Sequence, residues 1–212
     1  MINIIAHRGF WSKPEEKNTK EAFKRALNNG FGIETDLRDF NGEIVISHDI
    51  PSKECITFKS FMNIVNEYLP QTLALNIKSD GLQQLVVNDL TTYSDYFCFD
   101  MSVPDSLGYC KSEIIFYTRY SDLEKTPSLL DEASGVWLDN FSSNELNVSV
   151  LIEFLKKGKH VVLVSPELHG YTYGSYWEKL LAILNGQPQF VSLVGLCTDI
   201  PHEAKEFFIN VD

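Results

Sequence analysis

The chain has 212 residues, of which 44% are hydrophobic and 22% charged, enough apolar material for a sizeable core and too much for a disordered segment. Its 18 basic and 29 acidic residues leave a net charge of −11. That excludes a nucleic-acid binder held by a global basic field and a protein drawn to anionic membranes. No apolar run approaches the ~18 residues of a transmembrane helix. The opening Ile2-Asn3-Ile4-Ile5-Ala6 reads as a strand and not as a secretory leader, so a cytoplasmic location is expected.

In chain order, a first strand is expected over residues 2–6, with His7-Arg8-Gly9 directly behind it. A helix follows over 19–28, with Ala22, Phe23, Ala26 and Leu27 on one face and Asn29-Gly30 as its stop. The strand over 32–37 carries Glu34 and Asp36, whose i, i+2 spacing points both to one side. Asn41-Gly42 is a tight-turn signal, so residues 43–47 are expected to pair back as a hairpin arm ending at His48-Asp49. A helix over 58–68 precedes a strand over 73–77, where Asn76 and Lys78 repeat the i, i+2 spacing. Then come a helix over 82–91, a strand over 96–99 leading to Asp100, a helix over 105–110 and a strand over 113–117 with Arg119 just beyond. A helix is expected over 122–133, its length limited by Pro127, then a strand over 135–138 leading to Asp139 and a helix over 148–157. The last strands, 160–164 and 191–197, lead to Glu167 with His169 and to Asp199, with helices over 175–184 and 202–208 after them.

Eight short strands alternating with helices predict parallel βα units in an α/β fold, either an open doubly wound sheet or a closed (β/α)8 barrel. No linker or change of composition divides the chain, so residues 1–212 are read as one domain. The cysteines, Cys55, Cys98, Cys110 and Cys197, show no paired spacing and read as free thiols.

The polar residues gather at the C-terminal ends of the strands, where a βα barrel carries its chemistry. Glu34 and Asp36 on one face of a strand are costly if both are ionised and dry, so something cationic must compensate. Arg8 and Lys78 can do this alone as an internal salt-bridge layer. A hard divalent cation, Mg²⁺ or Ca²⁺, on the two carboxylates is the alternative, and zinc is disfavoured because no His- or Cys-rich ligand set is present. A cation with Arg8 and Lys78 suits an anionic phosphodiester, and His7 and His48 can take and give the protons its cleavage needs. Among the other histidines, His160 falls before its strand, His202 opens a helix, and His169 lies at a strand's productive end.

The run Ile5-Ala6-His7-Arg8-Gly9, then Asn18-Thr19 with Ala22-Phe23, Ile33-Glu34-Thr35-Asp36-Leu37, Val45-Ile46-Ser47-His48-Asp49 and the closing Thr198-Asp199-Ile200-Pro201 resembles the glycerophosphodiester phosphodiesterase family. The resemblance spans the chain and is densest over residues 5–49. It implies a compact (β/α)8 TIM barrel that cleaves a small-molecule phosphodiester with a divalent metal. Carried over by position, His7 and His48 are the acid–base pair, Arg8 and Lys78 contact the phosphate, and Glu34, Asp36 and Asn76 occupy the metal positions. Arg119 is a further candidate for a second anionic group, with a salt bridge to Asp122 or Glu124 as its alternative.

Two departures stand out. Asn76 replaces the family's third-strand glutamate, and an amide brings no charge to a metal. Pro14-Glu15-Glu16-Lys17-Asn18-Thr19 departs from the family's P-E-N-T spacing, with a lysine directly before the asparagine. Asp100, Asp139, Glu167 or one of Glu15 and Glu16 are the acids available to compensate. The short segment over residues 51–57 marks a compact subgroup resembling proteins of surface-polysaccharide assembly, with a glycan- or nucleotide-linked phosphodiester as substrate. The alternatives are a barrel that binds phosphorylated ligands without hydrolysing them, and a phospholipase-like relative, which the charge of −11 disfavours.

Overall fold

The computed structural model describes residues 2–91 and 93–209. The strands are β1 (Asn3–His7), β2 (Gly32–Phe40), β3 (Glu43–Ile46), β4 (Leu73–Ile77), β5 (Tyr96–Phe99), β6 (Tyr117–Tyr120), β7 (Gly135–Leu138), β8 (His160–Val164) and β9 (Val194–Thr198). The helices are α1 (Lys20–Asn28), α2 (Phe58–Val65), α3 (Gln83–Leu90), α4 (Val103–Lys111), α5 (Val148–Lys156), α6 (Gly174–Gly186) and α7 (Pro201–Phe207). Hydrogen bonding orders the strands β5-β4-β2-β1-β9-β8-β7-β6, with β3 paired to β2 off this path. This is the compact (β/α)8 barrel, and β3 is an addition to it. The chain clusters into two units, one holding Ala6–Phe116 and the other the first strand up to Ile5 with the chain from Tyr117 onward.

In the Ala6–Phe116 unit, local signals place the elements that carry the polar residues. Thr19 caps α1, its side chain accepting from the Ala22 N–H, and Ala22, Phe23, Ala26 and Leu27 are the buried face. Thr57 caps α2 in the same way from Ser60, and the Phe23 and Phe61 rings meet edge to face at 4.7 Å. The hairpin forms as expected. Asn41 and Gly42 both take positive φ, as a type I′ turn requires, and Leu37 pairs with Ile46 through to Phe40 with Glu43. The antiparallel pairing extends β2 three residues beyond the expected Leu37.

The β4 ladder sets Asp36 opposite Asn76 and Glu34 opposite Ala74. Beyond β5 the expected strand over 113–117 is displaced. Over 113–116 the described residues make the isolated Cys98–Phe116 bridge, with the Cys98 N–H donating to the Ile115 carbonyl, and the ladder with β7 begins at Tyr117.

In the other unit, Asn147 caps α5 through the Val150 N–H, and Trp177 packs against Phe207 and Phe208 while its indole N–H donates to Ser165 Oγ. No helix forms over 122–133. Ser121 instead caps a turn through the Leu123 and Glu124 N–H groups, and Leu129 takes a positive φ beyond Pro127. Pro188 opens a 3-10 turn (Pro188–Leu193) over residues expected in the last strand, so β9 starts at Val194. No helix among the described residues is long and apolar enough to cross a membrane.

Candidate active site

The site is built where β1 ends. Arg8 and Gly9 both adopt positive φ, 58° and 84°, and the chain turns back so that the Gly9 N–H reaches the Ala6 carbonyl at 3.2 Å. A β-carbon on Gly9 would stand 2.9 Å from the backbone carbon and the Cβ of Ala22, so glycine is required by space as well as by conformation. A left-handed arginine is strained, typically by ~1 kcal/mol or more, and the turn holds it with two backbone bonds. The Arg8 N–H donates to both the carbonyl (2.9 Å) and the carboxylate (3.2 Å) of Glu34, and the Arg8 carbonyl accepts from the Asn18 N–H. These bonds join the end of β1 to β2 at Glu34 and to the loop before α1.

Glu34, Asp36 and Asn76 are all buried, at 2%, 1% and 7% exposure. Burial, and then the neighbouring Asp36 charge, push the Glu34 carboxyl up to about 7. His7 stands beside it, Nε2 lying 3.8 Å from Oε2. Asp36 has more company. Its Oδ2 accepts from Asn18 Nδ2 at 3.0 Å and lies 3.2 Å from Arg8 Nε, while Oδ1 lies 3.4 Å from Lys78 Nζ. The two cationic approaches are close enough for Coulombic attraction but lack hydrogen-bond alignment. Among the described residues, Asp36 Oδ1, Asn76 Oδ1 and Arg8 Nε are buried without a hydrogen-bond partner.

Two orphan acceptors and one orphan donor in adjacent positions are unusual in a closed core and ordinary in a binding site. The acceptors, with the Glu34 carboxyl, suit a hard cation, and the donor suits an anionic oxygen. The residues present therefore fit a divalent ion. The set is thin, however. Among the described residues no three His, Cys, Asp or Glu side chains converge as a ligand cluster, so an ion here rests on two carboxylates and an amide.

Three of the acids expected to compensate for Asn76, Glu16, Glu167 and Asp139, are engaged elsewhere. Glu16 turns onto Arg25 at 2.7 Å and accepts from the Ser12 N–H. In the other unit, Glu167 accepts from Thr198 Oγ1, the Asp199 N–H and Ser165 Oγ. Asp139 accepts from the Asn140 N–H and meets His169 Nε2 at 2.7 Å.

His48 follows β3. Its carbonyl accepts from the Arg38 guanidinium, and its Nδ1 meets Asp49 Oδ1 at 2.9 Å. That contact engages Nδ1 and not Nε2. His48 and Arg8 line one cavity of about 370 Å³, bordered also by Lys17 and Asn18. Arg119 lies on β6 in the other unit with its guanidinium on Glu124, and Trp137 is buried on β7.

Asn18 holds the site together in a way that its sequence neighbours do not signal. Its φ is +58°, its Oδ1 accepts from Thr35 Oγ1 at 2.8 Å, and its amide secures Asp36. The Asn18-Thr19 pair was the signal available, since the helix cap explains Thr19 alone. The His169–Asp139 contact was also not anticipated. The bond to Asp139 raises the imidazole above its usual pKa, and the Phe141 ring lies 4.9 Å from it.

No family model and no curated protein matches the sequence. Solved structures do match the fold. A phosphodiesterase of Oleispira antarctica, in complex with the product sn-glycerol-3-phosphate, is 15% identical over 98% of this chain and 97% of its own, with a TM-score of 0.71. A glycerophosphodiester phosphodiesterase of Thermotoga maritima is 15% identical over 97% and 98%, with a TM-score of 0.67. The fold is theirs. A Ca²⁺-dependent phosphatidylinositol-specific phospholipase C from Streptomyces antibioticus is more distant, 12% identical over 96% of both chains with a TM-score of 0.58. The expected barrel class is thus borne out over nearly the whole length.

Proposed function

We propose that the chain is a phosphodiester hydrolase of the glycerophosphodiester phosphodiesterase type, with Mg²⁺ or Ca²⁺ as its ion. The observation that carries the reading is the pair of orphan acceptors, Asp36 Oδ1 and Asn76 Oδ1, beside the orphan Arg8 Nε donor, with His7 and His48 attached to the same β1–β3 framework. Glu34, Asp36 and Asn76 would hold a divalent ion, and the chemistry it would supply is positive charge for the phosphoryl oxygens. Arg8 and Lys78 bind the remaining charge on the phosphate, and Asp36, 3.2 Å from Arg8 Nε, orients the guanidinium. His48, oriented through Nδ1 by Asp49, moves a proton at Nε2, and His7 moves the other at the Glu34 side. In this reading the esterified alcohol belongs to a glycan- or nucleotide-linked precursor in the cytoplasm.

The test is a panel of phosphodiesters assayed with EDTA and again after Mg²⁺ or Ca²⁺ is restored. His7→Ala and His48→Ala are each expected to lower kcat by roughly 10²–10⁴-fold with substrate binding retained. Turnover undiminished in both variants would overturn the assignment. A second reading, binding without hydrolysis, is favoured by one fact: Arg8 and Lys78 already neutralise Asp36. Calorimetric binding of a diester of sn-glycerol 3-phosphate with no product released over hours would support it.

A further inference from the structure

His48 is delivered by a hairpin arm that stands off the barrel's strand path, and β3 ends at Ile46, two residues before it. The ladder with β2 fixes the arm as far as the rung between Leu37 and Ile46. Beyond the end of a ladder, a side chain is placed by whatever holds its main chain.

Three contacts hold this segment. The Ser47 N–H donates to the Asp36 carbonyl at 3.0 Å, and Ser47 Oγ donates to the Asp49 carbonyl at 2.9 Å. Both flank His48. The Arg38 guanidinium takes hold of His48 itself, donating to its carbonyl from Nε at 3.3 Å and from Nη2 at 3.2 Å. Register makes this reach possible. Arg38 stands opposite Val45, and its long side chain carries the guanidinium three residues further along the arm. The guanidinium fork is rigid, so two N–H groups on one carbonyl lose less freedom than a lysine ammonium would.

The contact on the ring is of a different kind. The side chains of His48 and Asp49 are 45% and 93% exposed, and a polar pair that open to water holds its partners loosely. Asp49 engages one ring nitrogen, while the place of the ring follows the main chain.

We infer that Arg38 is a positioning residue of the proposed hydrolase. Its fork on the His48 carbonyl fixes the end of the added arm, and through it the imidazole, relative to the Asp36 strand. The inference rests on the hydrolase reading and adds to it a residue that neither moves a proton nor binds the phosphate.

Arg38→Met tests it by keeping the stem and removing the fork. With the phosphodiester panel, kcat is expected to fall by about tenfold to a hundredfold, the cost of a displaced reacting group, with KM within about twofold of wild type. Arg38→Lys, which offers an ammonium in place of the fork, recovers part of the loss. In a His48→Ala background, Arg38→Met lowers kcat by less than about twofold, because the side chain it places is gone. The full loss in that background would overturn the inference by showing that Arg38 serves the fold at large. Wild-type turnover by Arg38→Met would overturn it too, as would a raised KM with kcat unchanged, the mark of a substrate contact.

Hydrogen exchange reads the same placement without turnover. Arg38→Met is expected to speed exchange of the Ser47 amide by about tenfold or more, while the amides of the β2–β3 ladder change little. If wild type cleaves no diester, the hydrolase reading fails by itself. The hold on the His48 arm is then judged by Ser47 exchange, and an unchanged rate would overturn it.

Discussion

The burial of Glu34 makes a prediction that separates a binding site from a structural salt-bridge layer. The perturbation is Glu34→Gln, which keeps an acceptor for the Arg8 N–H and removes the charge. A carboxyl that ionises near 4.5 when exposed ionises here at about 7. At about 1.4 kcal/mol per tenfold change, that distance corresponds to ~3 kcal/mol. The sign follows from proton counting. Between the two values the folded state holds a proton that the unfolded state has released, so this group's contribution falls as pH rises.

Below pH 4.5 both states are protonated and the substitution has little effect. Above pH 7 both are ionised and the ion-free wild-type protein carries the full cost. Urea denaturation in EDTA from pH 4.5 to 8.5 therefore finds Glu34→Gln gaining on wild type with rising pH, towards ~3 kcal/mol. Millimolar Mg²⁺ or Ca²⁺ narrows the gap at pH 8, because an ion bound only to the folded wild type stabilises it. A difference independent of pH, or a variant less stable than wild type throughout, would refute the reasoning.

The remaining predictions use the same assays. Asn76→Glu raises affinity for Mg²⁺ or Ca²⁺ by about tenfold or more in calorimetry, since a third carboxylate joins the acceptors, and lowers stability in EDTA. An affinity that does not move would take Asn76 out of the site. Gly9→Ala lowers stability by about 3 kcal/mol in urea, combining a left-handed alanine with a contact on the Ala22 backbone. A loss under 1 kcal/mol would show that the turn can relax.

Asp139→Asn tests the His169 ion pair. The imidazole's raised pKa means the pair contributes fully below the exposed value of about 6.5 and is lost as pH rises through the folded value. The expected loss of about 1 kcal/mol at pH 6 fades by pH 9. A loss that grows with pH would reverse the assignment.

Alternation of short apolar runs with capped amphipathic stretches was enough to read the βα order, the hairpin at Asn41-Gly42 and the strand ends that carry His7, Arg8, Glu34, Asp36, His48, Asn76 and Lys78. These are local properties, set by side-chain periodicity and turn chemistry. Residues 113–117 and 122–133 were misread for a matching reason: whether an apolar run becomes a strand depends on a partner's register, and whether a polar stretch becomes a helix depends on what else can satisfy its backbone.

The tertiary structure alone decided how the charges are shared. Spacing puts Glu34 and Asp36 on one face of β2, but only the folded chain brings Arg8 and Lys78 to Asp36, leaves Glu34 to bear its burial beside His7, and strands the Asn76 oxygen without a donor. It also turned Glu16, Glu167 and Asp139 to other partners. Electrostatic roles depend on distances between residues far apart in the chain and on their exclusion from water, and neither is written in local pattern.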